Sequence, residues 1–157
     1  MGIYASTTSV PSEKSRNEIE RTLMRYGASQ FMYVESQELA IIAFVFEGTG
    51  VQFKLPLPDK NSDDFRLSYN GTRERHPQDQ EKVWEQACRQ RWRALALGIK
   101  AKLEMIESGI TEFRQEFLAH IIAPGEGGKT IGDMVLPALE AKSKGQKVEL
   151  LPWGGNN

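Results

Sequence analysis

Trp84, Cys88, Trp92, Leu95, Ile99, Leu103 and Ile106 step along the chain by four, four, three, four, four and three residues. Only an α-helix gathers that spacing onto one face, so the pattern predicts a helix from about Gln78 to Ser108 with a single buried stripe. At 1.5 Å per residue such a rod is about 46 Å long, and the rest of the chain must supply what covers its apolar side. Gly98 within it costs about 1 kcal/mol relative to Ala, and is expected to mark a close backbone approach.

The cover is legible upstream. Ser15-Arg16-Asn17-Glu18 has capping-box spacing, and Ile19, Leu23 and Tyr26 then share a helical face that Gly27 closes. From Gln30 the period changes to two. Phe31 and Tyr33 alternate with Met32 and Val34, Leu39 to Phe46 is apolar throughout, and Val51, Phe53, Leu55 and Leu57 alternate with Gln52 and Lys54. Polar breaks at 35–38 and 47–50 make this an antiparallel meander. Pro56 and Pro58 cannot donate to a ladder, which puts the third strand at an edge. A middle strand with no polar face predicts cover on both sides, by the chain's own helices or by another copy. Phe65, Leu67 and Tyr69 alternate with Arg66 and Ser68 and predict a short fourth strand.

Downstream of Gly109, Thr111 is expected to cap a helix carrying Phe113, Phe117 and Ile121, stopped by Pro124. Thr130-Ile131-Gly132-Asp133 predicts another start, with a helix running to Lys144 and disturbed by Pro137. The expected fold class is α+β: an N-terminal helix, a three- to four-stranded meander, a long helix and C-terminal helices. Residues 1–12 are expected to form a loose arm, 13–153 one domain and 154–157 a disordered tail, with apolar Val148 to Trp153 docked on the body.

Composition narrows the chemistry. Lys+Arg 20 against Asp+Glu 21 gives a net charge of −1, so a polyanion site has to come from charge segregation rather than charge excess. One cysteine excludes an internal disulfide, and two histidines leave little for zinc. Cys88 reads as a small buried apolar residue. His76 reads as an exposed turn residue and His120 as a part-buried helix residue. Glu112 and Glu116 read as surface charge, so no catalytic residue, metal or cofactor is assigned. No signal peptide or apolar run of about 20 residues is present, which predicts a cytoplasmic chain without a membrane partner.

Two patterns bear on function. Ala123-Pro124-Gly125-Glu126-Gly127-Gly128-Lys129-Thr130 matches a relaxed phosphate-loop spelling, which would make the chain a nucleotide-binding enzyme. That loop must leave a parallel strand, whereas Phe113 to Ile122 has helical spacing, so a glycine-rich turn between helices is the better reading. The second pattern is charge. Residues 66–102 hold nine Lys/Arg against four acids, net +5, while residues 104–126 hold five Glu against Arg114, net −4. On the long helix Lys82, Arg89, Arg93 and Lys100 step by seven, four and seven along one face. With Arg66, Arg73 and Arg75 in the preceding loop they form a candidate phosphate-backbone site. Phe65, Tyr69 and His76 are its candidate stacking residues. The competing reading is a solvated face whose cations pair with the acidic C-terminal segment or a neighbouring subunit.

Trp92-Arg93-Ala94-Leu95-Ala96-Leu97-Gly98-Ile99-Lys100-Ala101-Lys102-Leu103-Glu104, followed by Glu107-Ser108-Gly109-Ile110, resembles a group of small uncharacterised proteins of phages and integrated elements. The Ser15 to Gly27 helix and Lys54-Leu55-Pro56-Leu57-Pro58 share that resemblance. It implies cytoplasmic expression from a mobile genome and carries no established activity. A meander followed by a long basic helix is also similar in element order to the core of phage single-strand annealing proteins. The resulting expectation is a non-enzymatic, homo-oligomeric phage protein that binds single-stranded nucleic acid in annealing or recombination. The alternative is a protein-interaction module, either a structural subunit or an inhibitor of a host factor.

Overall fold

The computed structural model describes residues 10–146. The expected arm over 1–9, the docked segment Val148 to Trp153 and the tail 154–157 lie outside the described residues. Helix α1 (Val10–Arg25) leads into strands β1 (Ser29–Glu35), β2 (Leu39–Phe46) and β3 (Thr49–Pro56). A short helix α2 (Asp63–Arg66) and the long helix α3 (Pro77–Glu107) follow. The chain then forms α4 (Phe113–Glu116), a 3-10 turn (Leu118–His120) and α5 (Ile131–Ser143). The class is α+β, with one antiparallel sheet in the order β1-β2-β3.

Local chemistry accounts for most of these boundaries. Gly27 closes α1 at φ +97°, and the Ala28 N–H donates to the Leu23 carbonyl at 3.0 Å. Glu47 and Gly48 both have positive φ, 46° and 75°, as a two-residue hairpin loop between β2 and β3 requires. Pro77 occupies the first turn of α3, where a missing N–H costs nothing. Thr130 and Asp133 form a reciprocal capping box at the start of α5, with bonds of 3.2 and 3.0 Å. Pro137 is accommodated inside α5.

Four expectations are corrected. Helix α1 starts at Val10, so Ser15 and Glu18 lie within it and residues 10–12 are not an arm; Pro11 suits a first turn, and Ser12 is buried. There is no fourth strand at 65–69. Instead Asp63–Arg66 coils, with the Phe65 and Arg66 N–H groups both donating to the Ser62 carbonyl, and Phe65 turns into the core at 8% exposure. The segment after Thr111 is helical only to Glu116. Beyond the 3-10 turn, Ile121 and Ile122 are extended along the β3 edge, where the Ile122 N–H donates to the Gly50 carbonyl at 2.9 Å and shields part of that edge. Gly98 approaches no backbone, since a Cβ there would meet nothing within 4 Å.

Among the described residues, helices α1 and α3 cover one face of the sheet. Tyr33, Ile42 and Phe53 pair across the three strands, as do Phe31, Phe44 and Val51. This row packs against Ile19 and Leu23 of α1 and Cys88, Trp92, Ile99 and Leu103 of α3. Trp92 is fully buried, with its ring centroid 5.5 Å from that of Tyr33. Phe117 closes the far end edge-on to Phe44 and Phe53, at 6.1 and 6.0 Å. Trp84, part-buried, packs against this core, and its Nε1 donates to the Pro58 carbonyl at 2.7 Å.

Candidate nucleic-acid interface

Helices α1 and α3 pack side by side on the covered face of the sheet, leaving a solvent-filled groove between their outer surfaces. One widening, about 600 Å³, is lined by Lys14, Glu18, Arg89, Gln90, Arg93 and Leu97 among others. A second, about 470 Å³, is lined by Lys14, Glu18, Arg21, Arg25, Tyr26, Lys100 and Glu104. Lys14 and Glu18 line both, so the two widenings are continuous. Six cations meet two carboxylates along these walls, a local net of +4.

The two rows of cations have matching origins. Arg89, Arg93 and Lys100 step by four and seven on α3, and Lys14, Arg21 and Arg25 step by seven and four on α1. Each spacing keeps its row on one helix face, away from Ile19 and Leu23 or from Trp92 and Ile99. Among the described residues, Lys14, Arg21, Arg25, Arg93 and Lys100 have no carboxylate within 4 Å, and Arg89 reaches Glu85 only at 4.0 Å. At the far end Tyr26 Oη donates to Glu107 at 2.5 Å. That bond, then a smaller burial effect, pushes the phenol up to about 12, so the ring stays neutral where it borders the groove.

The residues expected from the sequence divide into three sets. Arg89, Arg93 and Lys100 line the groove, and Lys82 is exposed near the start of α3 on the continuation of the same face. Arg73 and Tyr69 are exposed in the loop on the opposite flank of α3. Tyr69 stands at 99% exposure in a turn held by the Ser68 N–H donating to the Arg73 carbonyl at 2.7 Å. The third set is engaged within the loop itself or precedes α3, with Arg66 and His76 still exposed and Phe65 buried. Arg66 Nε and Nη2 donate to Asp63 at 3.2 and 2.7 Å, which raises the guanidinium pKa further, and Glu74 stands 4.0 Å away. Arg75 Nη1 donates to the Asp64 and Phe65 carbonyls. Phe65 is buried beside Ala87, Gln90 and Ala94 and offers no face to a base. His76 precedes α3 as its cap residue, without a side-chain cap bond.

Lys14, Arg21 and Arg25 were not among the residues the sequence singled out. Their seven-and-four spacing was present, but α1 was read for its apolar face, and nothing in the sequence says that α1 lies beside α3.

Elsewhere the chemistry is structural. Lys102 donates to Glu116 at 3.0 Å, so Glu116 is a partner in an ion pair rather than free surface charge. His120 stacks on Phe53 at 4.1 Å, and burial, then the nearby Lys102 charge, lowers its pKa. In the glycine-rich segment the Ala123 N–H donates to the Lys129 carbonyl at 2.8 Å. The Thr130 hydroxyl accepts from the Asp133 N–H. That segment is a loop between short antiparallel bridges and does not leave a parallel strand, so the phosphate-loop geometry is not built here. Among the described residues, no three His, Cys, Asp or Glu side chains cluster to hold a metal ion, and no helix is long and apolar enough to cross a membrane.

No family model, curated protein or solved structure matches this chain.

Proposed function

We propose that the protein binds single-stranded nucleic acid in the groove between α1 and α3, without catalysing a reaction on it. The observation that carries this reading is the two facing rows of cations, five of them without a carboxylate partner among the described residues. Lys54, Lys60, Arg66 and Lys102 hold Asp133, Glu81, Asp63 and Glu116 away from the groove, whose walls carry only Glu18 and Glu104 against the six cations. The groove favours one strand over two. Helices in contact lie about 8–10 Å apart, so two rows of cations flank a single phosphate chain rather than straddling a duplex. The Tyr26 ring and the half-exposed Leu97 supply apolar surface for unpaired bases in the same groove, and Tyr69 offers a stacking face on the other flank of α3.

The resemblance to small proteins of phages and integrated elements adds the setting: a cytoplasmic accessory to annealing or recombination of a mobile genome. The test is fluorescence anisotropy with a labelled single strand and an unlabelled duplex competitor. Tighter binding of the single strand, lost in Arg21→Glu/Arg93→Glu, is the expected result. Absence of binding at low salt removes the reading and leaves the protein-interaction module in its place.

A further inference from the structure

The second face of the sheet carries Met32, Val34 and Ile41 beside Gln52, Lys54 and a buried Ala43, and α1 and α3 do not cover it. Met32, Ala43 and Gln52 form one row across the strands, and Val34, Ile41 and Lys54 form the next. These rows point away from α1 and α3, which pack on the alternate residues. Met32 and Val34 are half in water. The row ending in Lys54 continues into α5, because Lys54 Nζ reaches Asp133 in the first turn of that helix at 3.2 Å.

Helix α5 is anchored by its first turn alone. Gly132 sits against Ala119, where a Cβ would come within 2.7 Å of the Ala119 carbonyl oxygen, and the Ile131 N–H donates to the Ile121 carbonyl at 2.8 Å. From Asp133 onward every described residue of the helix is exposed, including Met134, Val135, Leu136 and Leu139. A helix apolar around most of its circumference is a helix that belongs inside something. Together with Met32 and Val34 these side chains are 43–57% exposed; Met32 and Val34 stand on β1 and α5 adjoins β3, at opposite ends of a row three strands, about 10 Å, wide.

We propose that this face, the open side of β1–β3 together with α5, is the interface of a two-fold dimer of the chain. The area argues for a second copy. Six large side chains half in water, two on β1 and four on α5, amount together to on the order of 500 Å² of apolar surface. With a polar rim that approaches the roughly 800 Å² per partner of a stable interface. A two-fold axis lets each copy's α5 lie over the other's sheet, so one patch covers both halves of itself. A net charge of −1 opposes the association very little. The α1–α3 grooves are on the opposite layer and remain open, so this inference stands whether or not they bind nucleic acid.

Size-exclusion chromatography with light scattering on the full chain tests it. The expected mass is twice that of one chain. Val34→Glu on the sheet and Leu139→Glu on α5 should each return it to one chain mass with an unchanged circular-dichroism spectrum, since both side chains face water in the single copy. Leu97→Glu, in the α1–α3 groove, should leave the dimer intact. A wild-type monomer at tens of micromolar overturns the proposal and gives the face to residues 147–157 or to another protein. A dimer that survives both Val34→Glu and Leu139→Glu overturns it as well.

Discussion

The salt dependence of strand binding is fixed by the number of cations that have no other partner. Among the described residues, Lys14, Arg21, Arg25, Arg93 and Lys100 meet that description in the groove, while Arg89 is shared with Glu85. Each phosphate contact to a single strand contributes about −0.7 to the slope of log affinity against log salt, so five contacts give about −3.5. Raising salt fourfold, from about 50 to about 200 mM, then weakens binding about 130-fold. Replacing Arg21 and Arg93 with Gln takes one contact from each wall and leaves a slope near −2.1, an about 20-fold loss over the same range. Both side chains are exposed, so the fold should tolerate the change. Arg66→Gln is the matched control: it removes the same charge from a guanidinium already held by Asp63, and the slope should stay near the wild-type value. Anisotropy titrations at three salt concentrations measure all three proteins. An unchanged slope in Arg21→Gln/Arg93→Gln, or an equal drop in Arg66→Gln, would refute the assignment of the groove.

Three further outcomes follow from the core and its edges. Gly132→Ala drives a methyl group into the Ala119 carbonyl, and should cost about 1–3 kcal/mol in urea unfolding, with faster amide exchange concentrated in α5. Burial lifts the Cys88 thiol to about 11, helped by Glu35 and Glu85, so at pH 8 it should label slowly in the folded protein and rapidly in urea; equal rates would contradict its placement. His120 has a folded pKa below its unfolded value of about 6.5, so the neutral ring contributes stability above that pH. Melting temperature should decline as pH falls below about 6.5 towards the folded pKa, and His120→Phe should flatten that part of the profile.

The elements that were readable in the sequence are those whose partner is implicit in their own periodicity. The α3 stripe from Trp84 to Ile106 demands a covered helix face whatever covers it, and α3 runs from Pro77 to Glu107 within a residue of expectation. The meander and the Thr130 cap are similarly local. Segments whose structure is decided by a distant partner were misread. Phe65, Leu67 and Tyr69 alternate like a strand, yet they join neither edge of the sheet. Phe65 instead enters a site beside Ala87 and Ala94 that a helical turn presents better. Ile121 continues a helical spacing from Phe117, but the exposed edge of β3 offers it a ladder, and β-branched side chains favour that conformation.

The charge pattern shows the same division at the level of the site. Counting charges along residues 66–102 picked out the helix face that lines the groove, because a helix turns sequence spacing into spatial alignment without outside help. It could not separate Arg66 and Arg75, spent on Asp63 and on backbone carbonyls, from Arg93 and Lys100, because those partners lie in a loop whose conformation depends on Phe65 reaching α3. Nor could it add Lys14, Arg21 and Arg25, which reach the groove only because Ile19 and Leu23 bind α1 to the same apolar surface as Trp92. The charge segregation of the folded molecule is therefore a consequence of its hydrophobic core. The core chooses which two helices lie side by side, and their outward faces then decide where the positive charge collects. The same packing leaves the other side of the sheet without cover from α1 or α3. One physical cause, two amphipathic helices claiming a single face of a three-stranded sheet, thus produces both the cationic groove and the face behind it that neither helix covers.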